Sequence, residues 1–143
     1  MSPIVVAGIL LALVAFSTAL GLLWARSQGR VKRADGHTVV RPADLPGRVR
    51  FADGATLVQF STEVCAPCAA TRRVLEGVAS QRDDVSHVDV DLTHAPDLAA
   101  RFHVLQTPTT LILDRAGVVR ARIGGAVRLA DVNAELDRIL LPA

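Results

Sequence analysis

Residues 55–68 read ATLVQFSTEVCAPC, an apolar run that passes through a short polar turn into the chain's only two cysteines, Cys65 and Cys68. Asp53-Gly54 precedes the run as a turn signal. Residues 55–60 are too continuously apolar for a half-exposed strand and read as a short strand covered on both faces. Residues 66–80 then place Ala70, Val74, Leu75 and Val78 at helical spacing, with Arg72, Arg73 and Glu76 on the other side. Residues 85–92 alternate, Val88, Val90 and Leu92 on one side, His87, Asp89 and Asp91 on the other. Strand, helix and strand form one βαβ unit, and the cysteine pair lies at its strand-to-helix joint. That position turns a common spacing into a redox motif.

At i and i+3 of a first helical turn two sulfurs can close a small ring, and Pro67 stiffens the turn without removing a needed donor. Cys65 sits where free backbone N–H groups and the helix dipole favour an anion, an effect of roughly 0.3 to 2 kcal/mol, or about one pKa unit. A fall from about 8.5 to about 7 raises the thiolate fraction more than about tenfold, while lost nucleophilicity takes back roughly fivefold. The larger consequence is that Cys65 becomes a better leaving group. Cys65 is the candidate nucleophile and Cys68 the candidate resolving thiol. A zinc site would need two further ligands, and His87, His94 and His103 have no zinc-hairpin spacing. A purely structural bridge closing so small a ring would remove little chain entropy.

Further along, residues 95–102 read as a short helix with Pro96 in its first turn. Residues 109–113 and 118–123 flank a hairpin loop at 114–117. Residues 129–140 close the chain as an amphipathic helix with Leu129, Val132, Leu136, Ile139 and Leu140 inward and Asp131, Asn133, Asp137 and Arg138 outward. Upstream, residues 37–40 are a candidate first strand, and Pro42, Pro46 and Gly47 leave room only for a broken helical turn. The order is β, β, α, β, α, β, β, α in a single domain over residues 38–143. Half of the residues are hydrophobic but only 3% aromatic, so the core is aliphatic.

Residues 3–25 carry no charged side chain, and residues 4–25 as a helix span about 33 Å, against a hydrocarbon core of roughly 30 Å. Twelve of them are Leu, Ile, Val or Phe, and Trp24 sits where an interfacial ring belongs. Residues 1–25 are therefore read as a transmembrane anchor and residues 26–37 as a basic linker. A cleaved signal peptide competes, since Ser17-Thr18-Ala19 offers small residues, but no basic segment precedes Ile4 and the apolar run continues to Leu23. Arg26, Arg30, Lys32 and Arg33 follow the helix closely, which predicts that the soluble domain faces the cytoplasm. Residues 26–42 hold five basic side chains against Asp35, while residues 43–143 hold eleven basic and thirteen acidic ones. A basic collar beside a weakly acidic domain suits anionic lipid and excludes nucleic acid as an expected partner.

The run ADGATLVQFSTEVCAPC at 52–68, Thr107-Pro108-Thr109 followed by TLIL, and Gly117 and Gly124-Gly125 together resemble the thioredoxin family over residues 37–143. The resemblance implies an α/β thioredoxin-like fold, a mixed central sheet flanked by helices. It implies that Pro108 is cis and that Ala66, Pro67, Thr107 and Pro108 meet substrate, the Thr107 backbone pairing with it as an added strand. It also puts Gln59 in the place of the buried Asp that helps deprotonate the resolving cysteine in thioredoxins, and an amide carries no such proton. Asp89 is the candidate to take over that relay. Ser61 and Val64 stand where the family usually has tryptophans, which implies a smaller substrate platform, and Glu63 falls at an often acidic position.

These readings lead to a membrane-tethered thiol-disulfide oxidoreductase that reduces disulfide-bearing protein clients and draws electrons from a separate reductase, without metal or organic cofactor. Two alternatives stay open: a non-turnover adaptor or redox sensor, and an extracytoplasmic thiol oxidoreductase in protein or cytochrome maturation.

Overall fold

The computed structural model describes residues 2–141. Helix α1, Pro3–Ser27, is followed by strand β1, Val31–Arg33, a 3-10 turn at Pro42–Asp44, strand β2, Ala55–Ser61, and helix α2, Ala66–Ser80. Strand β3, Val85–Asp91, helix α3, Pro96–Arg101, strands β4, Thr109–Asp114, and β5, Val119–Gly124, and helix α4, Leu129–Leu140, complete the chain. The sheet order is β1-β5-β4-β2-β3, with β2 and β3 parallel and every other neighbouring pair antiparallel.

All seven residues of β2 are buried, as a strand with helices on both faces must be. Leu57, Ile112 and Ile123 pack under Leu75 and Val78 of α2 and Val132 and Leu136 of α4. On the other face Val58, Phe60, Val90 and Leu111 meet Phe102 and the buried Val40 and Leu45. Phe60 and Phe102 pack with ring centroids 5.5 Å apart and their planes tilted by 33°, with Phe51 against the same mainly aliphatic cluster. The 114–117 loop closes as anticipated. Gly117 adopts φ +77° there, and a Cβ would come within 2.2 Å of the Val40 carbonyl oxygen.

The first strand lies earlier than the hydropathy suggested. Val31, Lys32 and Arg33, inside the stretch read as a linker, pair with Ile123, Arg122 and Ala121, whereas the 37–40 segment makes only an isolated bridge between Val39 and Val118. An edge strand needs backbone partners on one side and little apolar content, and a lysine on such an edge discourages further pairing. Two inward assignments also change. Ala70 is exposed and Thr71 takes its place on the buried face of α2, with Cys68, Leu75 and Val78. Leu129 is 54% exposed, and the buried face of α4 is Val132, Glu135 and Leu136, the Glu135 carboxylate being paired with Arg138 and Arg33.

Helix α1 is long and apolar enough to cross a membrane, with mean hydropathy 2.5 over its apolar window and none of that window buried.

His87 lies on the α2 side of β3, with Nε2 buried and unpaired among the described residues. Burial pushes its pKa below the ordinary 6.5, against the pull of Asp89 and Glu76, and Arg72 adds to the fall. The unfolded chain therefore binds a proton that the folded chain refuses, so stability is intact above pH 6.5 and declines as pH falls through that value. Asp44 and Asp91, held below the ordinary 3.8 by hydrogen bonds from the Arg41 amide and from Thr93, act only at more acid pH. Denaturant midpoints followed from about pH 8 down to about pH 5 should fall for the native chain and stay nearly level for His87→Leu. An unchanged slope in the variant would assign the effect elsewhere.

Candidate active site

Strand β2 is bonded on both sides, and its end delivers the chain to α2. Cys65 is the N-cap residue of α2, extended at φ −140° and ψ 93°, with Ala66 and Pro67 forming the exposed first turn. Pro67 fits there because first-turn amides have no partner within the helix. Cys65 and Cys68 are joined as a disulfide with their Cα atoms 5.4 Å apart. Cys65 is half-buried and Cys68 is only 3% exposed, so an incoming sulfur meets Cys65 first.

The Thr107-Pro108 peptide is cis. Because Phe60 of β2 pairs with Thr109 of β4, the loop carrying Thr107 and Pro108 stands at the same sheet edge as the cysteines. The hydroxyls of Thr62 and Thr107 are 3.2 Å apart and tie the two loops together. The Pro108 carbonyl accepts a 2.7 Å hydrogen bond from the Gly125 amide, and Gly125 adopts φ +90°. Four of the residues singled out by motif, Cys65, Cys68, Thr107 and Pro108, thus converge on one edge, with Ala66 and Pro67 beside them.

Gln59 lies fully buried beneath this edge. Its Nε2 donates to the Cys68 carbonyl at 3.0 Å, while Oε1 has no partner among the described residues. Thr71, one turn after Cys68, and Thr110, opposite Gln59 in the sheet register, are also buried with unpaired hydroxyls. Of the three, Gln59 is tied to Cys68 directly, while Thr71 follows it on the buried face of α2 and Thr110 lies across from Gln59 in the sheet. Thr71 was passed over in favour of Ala70, and its place three residues after Cys68, one helical turn on, was the signal that could have found it. Thr110 needed the strand register. Thr62 too escaped sequence reasoning.

Asp89 stands beside Gln59 in the parallel register, but its carboxylate is engaged elsewhere. Ser61 Oγ donates to Oδ1 at 2.7 Å, and the Arg72 guanidinium pairs with Oδ2. No hydrogen bond joins Asp89 to either cysteine among the described residues. His94, Glu63 and Asp91 gather on the exposed surface, the His94 Nε2 lying 3.2 Å from Glu63 Oε1. Asp91 Oδ1 is there occupied by the Thr93 amide.

The thioredoxin family model matches residues 38–138. A thioredoxin from Mycolicibacterium smegmatis is 37% identical over 87 residues, covering 59% of this chain and 77% of that protein. A thioredoxin from Mycobacterium bovis is 35% identical over 102 residues, 71% of this chain and 87% of the other. The chain spans 26% of a bifunctional thioredoxin reductase/thioredoxin from Mycobacterium leprae and 51% of thioredoxin H2 from Arabidopsis thaliana. Among solved structures, a mutant thioredoxin from Halobacterium salinarum superposes with TM-score 0.57 at 20% identity over 64% of this chain and 79% of that one, which speaks for the fold alone. Chloroplastic thioredoxin z superposes with TM-score 0.55 at 29% identity, over 61% of this chain and 79% of that one. With the strand order, the helix-capping cysteine pair and a family match over residues 38–138 in agreement, the chain belongs to the thioredoxin family.

Proposed function

We propose that this protein is a membrane-tethered thiol-disulfide oxidoreductase that reduces protein disulfides. The observation that carries the reading is the bonded Cys65–Cys68 pair at the start of α2, its first member accessible and its second buried. In the reduced protein the Cys65 thiolate attacks one sulfur of a client disulfide and expels the other as a thiolate that takes up a proton. Cys68 then loses its proton and attacks the Cys65 sulfur, releasing the second client thiol. Two electrons pass to the client and the Cys65–Cys68 disulfide is left behind. A separate reductase restores the dithiol, as the name of the Mycobacterium leprae relative, which joins reductase and thioredoxin, supports. Residues Ala66, Pro67, Thr107 and Pro108 form the client surface.

The apolar helix α1 supports a single-pass tether, and the basic side chains that follow it support a cytoplasmic domain. A cytoplasmic thiol pair rests mostly reduced, which favours electron donation. An extracytoplasmic placement would favour a role in envelope protein maturation; a C-terminal reporter fusion decides between the two sides. The adaptor reading draws on Gln59, whose amide takes no proton from Cys68. Its consequence is slow resolution.

With the full chain in detergent, insulin reduction should proceed with turnover when a dithiol donor is supplied. Cys65→Ser should abolish it, and Cys68→Ser should accumulate a mixed disulfide. Stoichiometric consumption without turnover would favour the adaptor.

The partners of Asp89 support a clamping role, holding β3 to α2 through Arg72, rather than the relay its sequence position suggested. Accordingly, Asp89→Asn should leave the pH profile of mixed-disulfide resolution in place. A displaced profile would restore the relay.

A further inference from the structure

The start of the stretch read as a basic linker is a bonded joint. Only Gln28, Gly29 and Arg30 separate the end of α1 from β1. Arg30 Nε donates to the Arg26 carbonyl at 3.1 Å and the Gln28 amide to that of Ala25 at 3.3 Å, which stitches the joint to the last turn of α1. On the domain side, the Gly29 amide donates to the Gly124 carbonyl at 2.8 Å and Gln106 Nε2 donates to Gln28 Oε1 at 3.2 Å. A three-residue segment reaches about 10 Å at full extension, and this one is bonded at both ends.

The edge it joins is the redox edge. Val31 pairs with Ile123, Gly124 with Thr109, and Thr109 with Phe60, so α1 enters at the sheet end from which Cys65 and Pro108 project. Three strand spacings separate β1 from β2, roughly 14 Å. The loops at this edge carry Val64 and Leu105, 96% and 95% exposed, on either side of the site: Val64 precedes Cys65 and Leu105 lies two residues before Thr107. The Leu105 loop is not loose, because Arg122 donates to the Phe102 and His103 carbonyls at 2.6 and 3.1 Å. A cavity of about 400 Å³ lies where Trp24 and Ser27 face Leu105 and Gln106, with Arg30 and Arg122 on its wall.

We infer that the joint holds the dithiol toward the bilayer, and that the surface formed by Val64, Leu105 and the Thr107-Pro108 loop receives an integral membrane protein whose cysteine pair lies at the lipid-water boundary. This rests on the tethered reductase reading given above. The two apolar side chains flanking the sulfurs match a partner surface emerging from lipid, and Arg26, Arg30 and Lys32 suit the anionic headgroups around it. A disulfide far from the bilayer must come round the domain to meet Cys65. One at headgroup height is presented to it directly, at the effective concentration that a short tether confers.

The test uses the full, pre-reduced chain in phosphatidylcholine/phosphatidylglycerol vesicles with two synthetic transmembrane peptides. One carries a disulfide loop directly at its helix end, and the other carries the same loop raised about 30 Å on a helical spacer. The native chain should reduce the low loop about tenfold faster than the raised one. Inserting about twenty Gly/Ser residues after Ser27, with a reach of roughly 25 Å, should bring the two rates together. Equal rates in the native chain, or a preference that survives the insertion, overturn the inference. A chain that carbonate strips from the vesicles overturns the anchor and this inference with it, whereas a chain that stays yet reduces neither peptide nor soluble insulin overturns the reductase reading at its base.

Discussion

Strand β2 is paired on both edges and buried on both faces, and the rest of the molecule is arranged around that constraint. A strand so enclosed has its backbone groups bonded to β3 and β4 and its side chains in two cores, so its end cannot shift. The first residues beyond that end become the start of α2. Cys65 is therefore presented at a set position, where free amides and the helix dipole act on its sulfur. The antiparallel partner β4 begins at the same edge, which brings Thr107 and Pro108 opposite the cysteines although some forty residues of chain intervene.

Beneath the dithiol the chemistry is that of amide and hydroxyl groups. Gln59 holds the Cys68 carbonyl, and the buried hydroxyls of Thr71 and Thr110 have no partner among the described residues. None of these groups is a carboxylate, and among the described residues no carboxylate is hydrogen-bonded to Cys68. The carboxylate of Asp89, the register partner of Gln59, is engaged by Arg72 and Ser61. The layer that carries the bonded cysteines is thus polar but uncharged, with an amide at Gln59 rather than an ionisable group.

Legibility followed the kind of force involved. Helices α2 and α4 were bounded correctly from sequence, because amphipathic periodicity and the Pro67 signal are local. The inward residues were less secure: Ala70 and Leu129 have the right hydropathy, but the helix rotation that excludes them is set by the sheet beneath. Strand β1 was misplaced for a related reason. Val31–Arg33 owes its conformation to the backbone of β5, and an edge strand of mixed polarity has no hydropathic signature.

By itself, the sequence determined the family fold, the place of the cysteine pair at the strand-to-helix joint and an apolar helix ahead of the domain, since each depends on residue type and near spacing. Only the tertiary structure decided what lies under the dithiol, which partners hold Asp89, and that the joint after α1 is bonded to the redox edge. Those features arise from strand register and from contacts between distant segments. No pattern within a short window of residues encodes them, because the partners meet only after the sheet has formed.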